Sequence, residues 1–405
     1  MSSPGDPARH RPSTTPPGFD STLAQPAHAA PSVIAAPAVA QAPVPPALKR
    51  AWGLYIWVGA LLVVLLVVLV GYFLRAIGPA ASILGAVLAL VPLAGVLWAL
   101  RLVDRWEPEP RGLVIIALGW GAIVSVAVAL GVDLLIVLSV GRSTAPWAEF
   151  LQSVVQAPIV EEVAKGLGVL LIFAAARRFF DGPVDGIVYG GLIGAGFAFT
   201  ENIQYFAQSF LEGGLELASA TFFVRGMLSP FAHVMFTAVT GFAVGLAARR
   251  GARAGGAFGP WLLGLVGAIA LHALWNGSAL LGDFFALYAL LQVPLFVVFV
   301  VGIVMLRREE ARLTRARLGE YAAVGWFTAQ EVDMLATGAG RRSAIAWART
   351  LRGDRVPIMR TFISDATALA AARQRVISGR DPRAAAEERA LLERTVTARA
   401  ALFAL

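Results

Sequence analysis

Apolar runs dominate the middle of this chain, and polar residues interrupt them at intervals too wide for a soluble fold. Uninterrupted stretches fall at about 51–74, 77–100, 113–140, 151–176, 184–210, 221–248, 258–281 and 284–306. A helix crosses the hydrocarbon core with about 20 apolar residues, so each stretch is long enough to span. The pattern predicts an all-α polytopic membrane protein with about eight transmembrane helices.

The basic residues between these stretches test the count. Lys49-Arg50, Arg101/Arg105/Arg111, Arg177-Arg178, Arg249/Arg250/Arg253 and Arg307-Arg308 flank every second connection, whereas the others carry only Arg75 and Arg142 or nothing basic. Basic loops stay on the cytoplasmic side. The alternation therefore places both termini in the cytoplasm of a cell-membrane protein. One span more or fewer would break it.

The flanks read differently. Residues 1–48 are rich in Pro, Ala and Ser and read as a disordered cytoplasmic tail, because such a segment cannot bury enough apolar surface to offset its ordering entropy. Residues 49–306 form the membrane domain. Residues 307–405 carry alternating charge and Ala/Leu spacing, which predicts a small cytoplasmic helical region of solvated helices. Within it, Thr328-x-x-Glu331 is a capping-box pattern, and Asp381-Pro382 places a cap residue before a first-turn proline.

Composition narrows the chemistry. The chain is 58% hydrophobic and 15% charged, against roughly a quarter charged in soluble domains. Cysteine is absent, which excludes thiol catalysis and thiolate metal sites. The net charge of +8 sits mainly beside the spans and in the C-terminal region, so the bilayer is the expected partner and nucleic acid is not.

Ionisable residues inside hydrocarbon cost about 2.5–3.5 kcal/mol each on insertion scales and usually mark function. Glu161, Glu201, His233 and His272 lie on four consecutive antiparallel spans. At about 1.5 Å per residue all four fall roughly 14–18 Å below the outer edge. A shared depth on neighbouring helices predicts one site in the core of the bundle. Glu162 and Lys165 join it, since Lys165 lies four residues after Glu161 and three after Glu162 and so shares their helix face. Gly190-Gly191, Gly194 and Gly196 permit close helix approach at the same level. Asp133 is a more distant candidate partner, while Trp120, Trp275, Tyr189 and Phe197 read mostly as packing.

Glu161-Glu162-x-x-Lys165, Phe197-x-x-x-Glu201-Asn202, Arg225 … Pro230-x-x-His233-x-x-x-Thr237 and His272-x-x-x-Asn276 together resemble the motif set of the PrsW family of membrane proteases. The segment Asp104-Arg105-Trp106-Glu107-Pro108-Glu109-Pro110, Gly119-Trp120-Gly121, Asp185-Gly186 and Tyr189-Gly190 are similar as well. The resemblance covers roughly residues 100–280. It implies an intramembrane endopeptidase acting on a membrane-anchored protein, such as an anti-sigma factor, at first-site cleavage. It also implies roles: Glu161 as the base activating water, Glu201 helping to hold that water, His272 and Asn276 as oxyanion donors, and His233 orienting water or substrate. Glu201 stands where relatives carry a histidine. Glu162 completes the expected catalytic set, with Lys165, Asn202 and Arg225 in support.

Two alternatives stand beside this. The same groups suit a zinc site, with Glu161, Glu201, His233 and His272 as ligands and a bound water. The lack of an HExxH pair on one helix tilts the reading toward the metal-free version. The rival from another class is a proton-coupled transporter, since midplane carboxylates and histidines also build proton relays. No duplication between the two halves supports it.

Overall fold

The computed structural model describes residues 51–403 except 107, 142, 144, 281–282 and 380–382. The expected tail at 1–48, Lys49-Arg50 and the Asp381-Pro382 cap lie outside the described residues. Among the described residues all regular structure is helical. The chain divides into two compact units, with the boundary at residues 304–305.

The membrane unit contains α1 (Ala51–Ala76), α2 (Pro79–Val103), α3 (Arg111–Val140) and α4 (146–175). The helical stretch Pro183–Phe222 follows, but Gly213 and Gly214 leave helical geometry, with φ +64° at Gly214. It is therefore two helices, α5 (183–212) and α6 (215–228). Next come α7 (Ala232–Arg249), α8 (Phe258–Leu280) and α9 (Phe284–Ala322), which belongs to this unit as far as residue 304 and to the second unit from residue 305.

Among the described residues, six stretches are long and apolar enough to cross a bilayer. One of them, Pro183–Arg249, folds back on itself at Gly213–Gly214 and so makes two passes. Helix α4 is not among these six; its Glu161, Glu162 and Lys165 lower its hydropathy. Every large hydrophobic side chain left exposed among the described residues lies between Leu61 and Met305. Such a belt is unsuited to water and suited to lipid.

Helix α5 is the spine. Gly186 and Gly241 meet backbone to backbone across α5 and α7: a Cβ on either would lie 2.0 or 1.9 Å from the other's carbonyl oxygen. The same closeness recurs at Gly190 against Thr237 and at Gly194 against His233. On other sides Gly85 of α2 and Gly121 of α3 approach Ile203 and Ile193 of α5. Helices in lipid gain little from apolar burial against each other, so this contact rests on dispersion between closely packed backbones.

The antiparallel partner of α5 is itself broken. Segment α6 runs back along the upper part of α5, with Ser209 Oγ 2.8 Å from Thr221 Oγ1 and Phe206 packed on Phe222. The helix then stops at Ser229–Phe231 and restarts as α7. Pro230 lies in that break, where its missing N–H and fixed φ disfavour a continuous helix. The sequence pattern alone predicts one unbroken span here, because the apolar run is continuous.

The second unit has α10 (Ala329–Leu335), α11 (Gly338–Ala348), α12 (Val356–Ile377) and α13 (Ala384–Phe403). Thr328 and Glu331 form the expected capping box, closing both hydrogen bonds at 2.8 and 3.1 Å. These helices are more than solvated tail. Leu318, Tyr321, Leu335, Met359, Phe362 and Leu369 make a shared apolar core. Buried ion pairs cross it, including Arg399 to Glu331 at 3.0 Å.

Candidate active site

Helix α4 carries the central charges. Spacings of three and four residues put Glu161 and Glu162 beside Lys165, whose Nζ donates to Glu161 Oε2 at 3.1 Å and to Glu162 Oε1 at 2.9 Å. The third acceptor is His233 Nδ1 on α7, 3.0 Å from Nζ. The ring of Phe197 on α5 covers the ammonium at 3.6 Å. Lys165 is fully buried and has three acceptors for three N–H bonds. An unpaired ammonium in hydrocarbon would be very costly, and this one is fully matched.

The hydrogen-bond pattern assigns the histidine protons. Lysine ammonium has no lone pair, so His233 Nδ1 accepts. His233 Nε2 then carries the proton and donates to Glu201 Oε2 at 2.9 Å. His272 on α8 places Nδ1 3.1 Å from Glu162 Oε1, which is already an acceptor, so Nδ1 carries that ring's proton. The remaining oxygen of Glu162 accepts from Thr237 Oγ1 at 2.9 Å. Glu162 is thus held by three donors. His272 is fixed with Nε2 as a lone-pair acceptor, 3.9 Å from Glu161 Oε2. Phe236 stacks on its ring with centroids 4.8 Å apart.

Glu201 anchors the other end. Arg225 on α6 pairs with Glu201 and donates to Asn202 Oδ1 at 2.9 Å, its guanidinium lying 3.7 Å over the Tyr205 ring. One continuous network therefore runs from Arg225 through Glu201, His233, Lys165 and Glu162 to His272. It draws on α4, α5, α6, α7 and α8.

The structure brings together Glu161, Glu162, Lys165, Glu201, Asn202, Arg225, His233 and His272. Asn276 sits one turn beyond His272, with its amide donating to the Ser153 carbonyl at 2.8 Å. Asp133 stands apart, accepting from Gln152 at 2.9 Å. Sequence reasoning left Thr237 without a role, though its place four residues after His233 put it on the same face. It also treated Trp120 as packing and passed over Trp261. Their indoles donate to the carbonyls of Ala164 at 2.9 Å and Gly166 at 2.7 Å, on either side of Lys165. Gly168 makes room for the first: a Cβ there would lie 2.4 Å from the Trp120 ring. Tyr189, also read as packing, donates to Glu109 at 2.5 Å.

Four groups offer ligand atoms within 4.8 Å of one another: Glu161, Glu162, His233 and His272. This differs from the expected metal set by Glu162 in place of Glu201, whose Oε2 is turned to Arg225 and His233. The donor chemistry suits zinc. The arrangement does not, because the Lys165 ammonium lies within 3.1 Å of three of the four ligands and points its N–H bonds into the space between them.

Residues 109–303 match the family model described as PrsW family intramembrane metalloprotease. The chain is 31% identical to Protease PrsW of Geobacillus kaustophilus (strain HTA426) over 144 residues, 36% of this chain and 58% of that protein. It is 34% identical to Protease PrsW of Clostridioides difficile (strain 630) over 159 residues, 38% of this chain and 62% of that one. The matches thus span about three fifths of the length of these relatives. No solved structure matches the chain.

Proposed function

From the match of residues 109–303 to the PrsW family model, we propose that this protein is an intramembrane endopeptidase that hydrolyses a membrane-anchored protein with a water activated by Glu161. The observation that carries the assignment is the unequal use of the two neighbouring carboxylates. Glu162 is saturated by Lys165, His272 and Thr237, whereas Glu161 has Lys165 as its one hydrogen-bond donor among the described residues. Glu161 faces the free Nε2 of His272 across 3.9 Å. A single water hydrogen-bonding to each at about 2.8 Å fits that gap.

Both groups accept, so each takes one hydrogen of the water and its oxygen lone pair is left for the scissile carbonyl. Glu161 removes the proton as the C–O bond forms and returns it to the leaving amine. Glu162 holds His272 in the tautomer that this needs. Lys165 keeps two adjacent carboxylates together in a low-dielectric site. Asn276 has a second amide N–H beyond the one on Ser153, and we assign that donor to the oxyanion. His233 has both ring nitrogens committed and acts by holding Lys165 and Glu201 in place.

A zinc ion held by the Glu/His set would supply a Lewis acid and a more acidic water. No step here needs it. The break between α6 and α7 is a feature transporters also use, and the family match favours hydrolysis. An anti-sigma factor is the substrate that the family resemblance suggests. The positive-inside pattern favours residues 49–306 as the protease domain, with the helical region 307–405 on the cytoplasmic side.

The test is cleavage of a single-span reporter, with an anti-sigma factor among the candidates, by the purified chain in lipid. Cleavage that survives Glu161→Gln at the wild-type rate refutes the assignment. Uptake of an ion into liposomes, abolished by the same change, would instead establish the carrier.

A further inference from the structure

We infer that Lys165 is the resident cation of this site and that its ammonium keeps a divalent metal out of the ligand set Glu161, Glu162, His233 and His272. The inference concerns the same groups as the proposed reaction but is read by metal binding. Either can therefore fail without the other.

Three observations converge. The first is position. Nζ is 3.1, 2.9 and 3.0 Å from Glu161, Glu162 and His233, which are three of the four groups that could hold an ion. An ion shared by those three would have to enter the space filled by the ammonium hydrogens.

The second is completeness. The fourth side of the ammonium is closed by the Phe197 ring at 3.6 Å, and the side chain is wholly buried. Such an environment surrounds a small positive charge with lone pairs and a π face, as a coordination shell does. The charge the carboxylates need is already present, on a side chain tethered in cis.

The third is residue choice. The chain has 34 lysines and arginines, and the sequence places lysine at positions 49 and 165 alone. Every other basic position is arginine, including Arg225, which pairs with Glu201 in the same network. Lysine ends in a compact charge with three divergent donors, whereas a guanidinium is a planar fork. A fork cannot direct bonds to three acceptors converging from two helices. A metal-sized charge can.

Neutralising Lys165 should therefore unmask a metal site. Even one unit-charge repulsion at about 4 Å and intermediate dielectric exceeds a hundredfold in binding, so Lys165→Met should bind zinc or cobalt at least about a hundredfold more tightly than wild type.

The experiment uses the full-length chain in detergent, loaded with zinc or cobalt alone, desalted, and assayed for bound metal and for the visible Co(II) spectrum. The expected result is no retained ion in wild type or Lys165→Arg. Lys165→Met should retain one ion per chain with a tetrahedral Co(II) band, and Lys165→Met/His272→Ala should lose it. Wild type supplies a readout even if Lys165→Met folds poorly, because excess zinc should leave its melting temperature unchanged. Stoichiometric metal on wild type, zinc-dependent stabilisation of wild type, or a folded Lys165→Met that binds no better would each overturn the inference.

Discussion

Gly194→Ala is the smallest change that should disable the site without touching any group in it. Gly194 of α5 lies against the backbone of α7 where His233 begins its helix. An added Cβ would sit 2.3 Å from the His233 carbonyl oxygen, 2.7 Å from its carbon and 2.9 Å from Val234 Cα. These are backbone atoms and cannot rotate away, so α5 and α7 must part locally by about an ångström to reach ordinary contact near 3.4 Å. His233 holds Lys165 at 3.0 Å and Glu201 at 2.9 Å, and hydrogen bonds of that length do not survive a further ångström. Overpacking of this kind costs about 1–3 kcal/mol of stability. A misplacement of about 1 Å near the chemistry costs on the order of a hundredfold in rate. The assay is reporter cleavage in lipid alongside thermal melting, with Gly131→Ala on α3 as the control, since a Cβ there meets nothing within 4 Å. Wild-type cleavage and melting in Gly194→Ala would refute the idea that glycine packing sets the position of His233.

The two adjacent glutamates should separate by phenotype. Glu161→Gln should lose cleavage by at least about a hundredfold and lower melting less than Glu162→Gln does, because Lys165 keeps its bond to Glu162 and the other donors of Glu162 are untouched. Glu162→Gln breaks a buried pair with Lys165 and should lower stability by about 3–5 kcal/mol, seen in melting before any rate is compared. In the second unit, Glu331→Gln should destabilise by a similar amount, about 3 kcal/mol, because Arg399 is buried against it; faster amide exchange across 383–403 in the full chain would report the loss. Burial pushes the Asp365 carboxyl above the usual carboxylate range, against the pull of Arg394. The folded unit therefore keeps that proton to higher pH than the unfolded chain. The associated stability is fully present at pH below the unfolded value and is lost as pH rises through the folded one. Asp365→Asn should flatten this slope, measured by exchange across 356–377 between about pH 4 and 7.

That residues from four spans would meet was legible in the sequence; direction around each helix was not. Counting residues from the span ends placed Glu161, Glu201, His233 and His272 in one layer, and they do form one network. The count put Glu201, and not Glu162, among the metal ligands, whereas the four groups that converge include Glu162. Consecutive helical residues point about 100° apart, so Glu161 and Glu162 meet different neighbours, and Thr237 and His272 both lie on the side of Glu162. The Trp120 and Trp261 bonds were invisible for a related reason, since an indole donor finds a carbonyl on another helix only through tertiary packing. In 307–405, the charged positions drew the reading toward solvated helices. The apolar positions between them close a core of their own.

The broken helix carries the deeper lesson about what the motif spacing means. Arg225 and His233 both bond to the same oxygen of Glu201. Residues eight apart on one straight helix are separated by about 12 Å along its axis, and a histidine side chain has little reach. The stop at Ser229–Phe231 resolves the conflict: α6 brings the arginine to Glu201 from one side, and α7 brings the histidine from the other. Pro230 is the trace of this in the sequence, easily missed inside an apolar run. A break at site depth also exposes backbone polar groups, which lipid would not tolerate and a polar site can. Here the carbonyls at the break are met locally, Val224 by Ser229 Oγ at 2.8 Å and Leu228 by the Tyr288 hydroxyl at 2.7 Å, and the break lets two distant residues share one carboxylate.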